Sequence, residues 1–206
     1  MRYFIILIAA FACSTPKGQE YIPNEEAVEL NNKALELMMK DPFARTVDTT
    51  TYEQAIKLLN SALELDKRNS IIYSNSHDAF VKLGRFEEAL ETLKMATSNI
   101  EYFAEGFMGM GMIYEHLNEQ ELARKNFNNA IENFKLRSKE GTREQRIHAN
   151  CEIAFARAYL TDKQDALNEL NSLLAEHPNN QEIQMYLELL RTFDKDQFIA
   201  ERFGRL

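Results

Sequence analysis

Four stretches of the chain repeat one spacing of small and large apolar residues. They are YEQAIKLLNSALEL from Tyr52, FEEALETLKMATSN from Phe86, QELARKNFNNAIEN from Gln120 and KQDALNELNSLLAE from Lys163. Each has an alanine: Ala55, Ala89, Ala123 or Ala166. Four residues on comes a large apolar residue, Leu59, Leu93, Phe127 or Leu170, and three later a third, Ala62, Ala96, Ala130 or Leu173. Steps of four and three return to one side of a helix, so each stretch predicts an amphipathic helix with a buried stripe. Between them lie partner segments that also read as helices. One begins at Ile72-Tyr73, one at Glu105-Gly106-Phe107, and one runs from His148 to Leu160. Leu83, Leu117 and Leu160 each stand six residues before the next stripe's alanine, so the registers of the two kinds of helix agree.

The alanines are separated by 34, 34 and 43 residues. A period of 34 over a helix pair resembles the tetratricopeptide repeat. The resemblance rests on the three stripe positions, on Gly84, Gly111 and Tyr114, and on Pro178 at the closing proline's place. It covers about residues 24–193, with repeats at about 24–68, 70–103, 104–146 and 147–180 and capping residues at 181–206. His77 and Ala154 replace the usual glycine, and Arg157 stands where an aromatic belongs. The resemblance implies an all-α, right-handed helix-turn-helix solenoid of about four repeats. Each repeat in such an array buries its apolar faces only against neighbours, so the last one needs a lid. Phe193, Phe198, Ile199 and Phe203 are the residues expected to supply it.

Two segments interrupt the period. DPFARTVDTTT, residues 41–51, is longer than the repeat's turn, and Pro42 and the threonine run are expected to stop the leading helix of the first repeat. That helix is expected from Asn24, a residue suited to accept the first free backbone N–H groups. Residues 134–146 form the second insertion, read as a helix extension and loop, with a basic docking patch as the sharper reading.

The N-terminus, MRYFIILIAAFAC, joins one cation at Arg2 to an apolar run from Tyr3 to Ala12. Ten residues fall short of the roughly 20 that span a bilayer core. A basic start, a short apolar run and Ala10-Phe11-Ala12 ahead of a cut site describe a secretory signal, residues 1–12. Cys13 follows at once, and the segment resembles a bacterial lipoprotein signal, in which that cysteine takes the lipid. The place three residues before the cysteine holds Ala10 rather than the usual leucine. Ser14 follows it rather than an aspartate, which implies an outer-membrane lipoprotein facing the periplasm. Residues 13–23 would then be the tether.

Composition narrows the function. A net charge of −8 repels phosphate backbones, so nucleic acid is not an expected partner. Two cysteines exclude a disulfide scaffold. The chain has no glycine-rich phosphate loop, HExxH or CxxC, and its histidines (His77, His116, His148, His177) are not at metal-ligand spacing. Neither an enzyme nor a cofactor or metal is expected. The repeat's leading helices imply a concave face to which Ile71, Ser74, Asp78, Val81, Glu105, Glu115, His148 and Cys151 contribute. Ser74, Asp78, Gly109 and Glu152 occupy the places where some members carry a lysine, asparagine and arginine clamp for a terminal carboxylate. What remains is an apolar strip, Met108, Met112, Phe155, Tyr159 and Met185, expected to bind a protein or peptide partner, the alternative being that the C-terminal helix folds back and fills it. The expected function is a membrane-anchored scaffold for protein–protein interaction in the cell envelope. The alternatives are a subunit of an outer-membrane protein assembly machine and, from another class, a ligand-binding protein or enzyme using the groove.

Overall fold

The computed structural model describes residues 21–40, 47–139 and 141–204. Ten helices run in order: α1 (Glu25–Met38), α2 (Thr49–Leu65), α3 (Ser70–Lys82), α4 (Phe86–Asn99), α5 (Ala104–His116), α6 (Gln120–Lys139), α7 (Arg143–Ala158), α8 (Lys163–Glu176), α9 (Gln181–Thr192) and α10 (Lys195–Phe203). Each of α1 to α8 packs on the helix that follows it. The leading helices α1 and α3 also meet, as do α7 and α9. The result is an all-α helical solenoid of tetratricopeptide type, with four helix pairs, a fifth leading helix, α9, and α10 at the end.

The stripe residues account for the pairing. Ala55, Ala89, Ala123 and Ala166 are buried, and so are Leu59, Leu93, Phe127 and Leu170. An alanine at the crossing lets two helix axes approach, while the large residue one turn on fills the space beside it. The clearest close approach is between α5 and α6. A Cβ built on Gly111 would lie 2.7 Å from the Phe127 ring, so only glycine lets that ring rest on the α5 backbone. Substitution of Ala123, 1% exposed, by leucine is expected to cost about 1–3 kcal/mol by overpacking. Calorimetry should show a broadened or lowered transition for the whole array, and an unchanged one would displace Ala123 from the crossing.

The turns repeat as well. Gly84 (φ 70°) and Asn118 (φ 60°) both adopt the left-handed conformation that ends a helix. They occupy equivalent places in consecutive repeats and share a hydrogen-bond pattern. Arg85 N–H donates to Phe80 O at 2.9 Å and Gly84 N–H to Val81 O at 3.0 Å. Glu119 N–H donates to Tyr114 O at 2.8 Å and Asn118 N–H to Glu115 O at 3.1 Å. Glycine and asparagine tolerate this backbone with least strain.

Both interrupting segments contribute helix. Asp48 accepts from the Thr50 and Thr51 backbone N–H groups, so the threonine run opens α2 instead of ending α1. α1 ends at Met38, its start capped by Asn24, which accepts from Ala27 N–H at 3.0 Å. Residues 134–139 extend α6, which is anchored by fully buried Phe134. α7 begins at Arg143, five residues ahead of His148, because Thr142 and Gln145 cap it reciprocally. Four of the five basic residues here are engaged within the chain, Arg146 through the Gly141 carbonyl. Lys135 pairs with Glu132, Arg137 makes a two-pronged contact to Glu105 at 2.7 and 3.0 Å, and Arg143 meets His177. Among the described residues no helix is long and apolar enough to cross a membrane. Cys13 and the segment 1–12 lie outside the described residues.

Candidate functional site

α10 leaves the stack. Phe193 and Asp194, both extended, turn the chain after α9, and α10 packs against α5, in the middle of the array. Its side chains reach further still. Phe193 and Phe198 lie 5.5 and 6.0 Å, ring to ring, from Phe155 of α7, and 5.2 and 6.3 Å from Tyr159. Phe203 stacks on His116 of α5 at 5.4 Å and meets Phe86 of α4 edge-on at 6.1 Å. Lys195 pairs with Glu115 of α5 at 2.5 Å, and Arg202 with Asp78 of α3 at 3.1 Å. The face formed by leading helices α3, α5 and α7 therefore holds a helix of the same chain.

That arrangement changes the expected strip. Phe155 and Tyr159 are buried, covered by the Phe193 and Phe198 rings. Met108 and Met112 are buried in the same apolar cluster. Met185 on α9 alone of the five is exposed, at 50%. The correction concerns exposure. The aromatic lid does cover the last repeat, where Phe193 and Phe198 pack on Phe155 and Tyr159, and Phe203 carries it on to His116 of α5, so it occupies positions where an open strip was expected.

The seat is imperfect in its polar groups. His77 Nε2, Tyr159 OH and Arg202 Nε are buried without a hydrogen-bond partner. His77 Nδ1 lies 3.2 Å from Asp78 Oδ1, the oxygen that also receives Arg202. Burial works to raise the Asp78 carboxyl. The His77 hydrogen bond and the Arg202 charge outweigh it and hold the group below the usual carboxylate range.

A second polar cluster joins α5, α6, α7 and α9. Arg137 holds Glu105, His148 Nδ1 lies 2.6 Å from Glu182, and the Tyr186 hydroxyl donates to Glu152. Burial raises the Glu152 carboxyl and pushes up the Tyr186 hydroxyl. Burial also pushes up the Cys151 thiol, aided by the charges of Glu182 and Glu152, so it stays protonated and is a poor nucleophile. Burial pulls the His148 imidazole down, but the bond to Glu182 and the nearby Glu152 charge hold it above its ordinary value. His116 and His148 thus have different partners, and no metal-binding group of three or more His, Cys, Asp or Glu occurs among the described residues. Ser74, Asp78, Gly109 and Glu152 set no cationic clamp; Asp78 instead receives a cation from α10.

Burial between two rings holds the His116 imidazole below its ordinary pKa of 6.5. In the unfolded chain the same group takes up a proton below about pH 6.5. His116 therefore favours folding above that pH, and this contribution is lost as the solution becomes more acid. The stability of His116→Phe should fall less steeply below about pH 6.5 than that of the parent. Equal slopes in chemical denaturation across that range would show that His116 is not buried neutral.

No family model matches the chain. Over 76 residues, 37% of its length, it is 33% identical to a Plasmodium falciparum Hsp70-Hsp90 organising protein, of which the stretch spans 30%. It is 33% identical over the same length to the Hsp70-Hsp90 organising protein of isolate 3D7, of which the stretch spans 14%. The chain thus matches less than a third of either relative. With the helix pairs in one register and the left-handed turns recurring at equivalent places, this likeness supports a tetratricopeptide-like fold.

Proposed function

We propose that the chain is a non-catalytic, lipid-anchored scaffold that gathers protein partners at a membrane surface of the cell envelope. The observation that carries the binding half is the face of α3, α5 and α7, which holds a helical segment by aromatic contacts and two ion pairs. A face that receives one amphipathic helix has the geometry to receive another. The similarity to organising proteins supports an interaction role, and the polar clusters supply no activated nucleophile. Met108, Met112, Phe155, Tyr159 and Met185 remain the proposed partner-binding positions, Met185 of α9 being exposed.

The anchor half rests on Arg2, the apolar run to Ala12 and Cys13. Stable membrane attachment takes more than one acyl chain, and a lipoprotein cysteine carries several. Cys13→Ala should move the protein from the membrane to the soluble fraction and abolish labelling by a fatty-acid analogue. An unchanged partition would overturn the anchor. A photo-crosslinking residue at Met185 in the membrane-extracted protein tests the scaffold. A recurrent protein adduct supports it, and the absence of adducts both there and on the convex helices overturns it.

A further inference from the structure

α10 differs from an ordinary end cap in three ways. It does not continue the stack, since two extended residues carry it away from α9 and back to α5. It is a nine-residue helix, held by a few discrete anchors. Phe198 enters the Phe155–Tyr159 site, Phe203 the His116–Phe86 site, and Lys195 and Arg202 meet Glu115 and Asp78. Finally, polar atoms at and beside this contact are buried and unpaired. His77 and Tyr159, 5% and 6% exposed, keep Nε2 and OH without partners, and Arg202 keeps Nε. A buried donor or acceptor with no partner forfeits the hydrogen bond that water would give it. Apart from these three, no buried side-chain polar atom lacks a partner among the described residues.

We propose that α10 is an exchangeable internal occupant of the partner-binding face, displaced by a helix of the same chemistry on a partner protein. The inference rests on the scaffold reading and specifies the partner segment. That segment is amphipathic, presents aromatic anchors to the Phe155–Tyr159 and His116–Phe86 sites, and carries a cation at each end for Glu115 and Asp78. A polar group on it that reaches Tyr159 OH satisfies an atom that stays unpaired under α10, which gives the partner its advantage. The carboxylates select against acidic helices, as opposite charges must be matched across a partly desolvated interface. In the free protein α10 covers apolar rings that would otherwise form an exposed patch prone to association.

Two measurements on the full chain test this. In native-state hydrogen exchange, the amides of α10 should open at least about ten-fold faster than those of α5, as a locally opening segment does. Equal protection of the two helices overturns the proposal. The second uses a fluorescein-labelled synthetic peptide of residues 193–204 as the probe, read by anisotropy. The charge reversal Lys195→Glu with Arg202→Glu removes both ion pairs of α10. If α10 fills the face in nine molecules of ten, opening it should tighten peptide binding about ten-fold, because apparent affinity scales with the open fraction. Adding Asp78→Lys and Glu115→Lys should abolish that gain. A folded double variant that binds no more tightly overturns the proposal, and so does one that becomes a dimer by exchanging α10, which makes a second copy the occupant. If the double variant does not fold, the exchange experiment on the natural chain decides alone. A protected α10 with crosslinks still forming at Met185 removes the exchange and leaves the scaffold standing. A rapidly opening α10 with no adduct anywhere removes the scaffold and with it the partner, leaving only the opening of α10.

Discussion

Phe127→Ala should destabilise the protein by about 3–5 kcal/mol, the range for deleting a buried phenylalanine. Phe127 is fully buried and stacks on Tyr159 at 4.6 Å, so its ring ties α6 to the end of α7. Its other side rests on Gly111, where even a methyl group would come within 2.7 Å of the ring. A residue with no side chain has nothing to swing into the hole, so the cavity persists and the cost lies high in the range. The same geometry predicts a change of sign. Gly111→Ala in the natural chain forces that contact and should cost about 1–3 kcal/mol. In the Phe127→Ala background the clash is gone. Alanine should then be neutral or stabilising by up to about 1 kcal/mol, since it favours the helix over glycine. Denaturant unfolding of the four proteins closes a double-mutant cycle. Additive effects would mean that Gly111 and Phe127 do not touch.

The helices were legible because their cause is local. A stripe at four-three spacing and a helix-ending residue such as Gly84 act within a few turns, and a repeat shows them several times over. The interrupting segments were less legible because helix boundaries turn on single caps. Asp48 converts a β-branched threonine run into a helix start, and Thr142 with Gln145 starts α7 within what read as an insertion. The exposure of the binding strip was not legible for a different reason. Periodicity assigns Phe155 and Tyr159 to the leading-helix face correctly, yet nothing local states what lies on that face. The answer depends on residues about 40 positions away, Phe193 and Phe198, and on two extended residues that redirect the chain. Asp78 and Glu115 read as concave-face positions, but that they receive cations of the same chain depends on where Arg202 and Lys195 lie.

Phe155→Ala joins stability to binding. An exposed groove residue could be truncated at little cost, but Phe155 is 2% exposed. It packs edge-to-face on Tyr159, Tyr186, Phe193 and Phe198. Its loss removes a large buried ring and the packing of those neighbours, so the expected cost is about 3–5 kcal/mol. For a chain of this size each kcal/mol corresponds to roughly 2–4 °C in the melting midpoint. Met185→Ala on α9 is the control, expected within about 0.5 kcal/mol because its side chain is half in solvent. The two should also part in where they act. Truncating Phe155 removes the surface on which Phe193 and Phe198 rest, so α10 should exchange its amides faster than in the parent even well below the melting midpoint. Met185→Ala should leave that exchange unchanged. A neutral Phe155→Ala with unaltered α10 exchange would place this ring outside the core and detach α10 from α7. The measured pattern therefore separates a face held shut by its own helix from one that stands open.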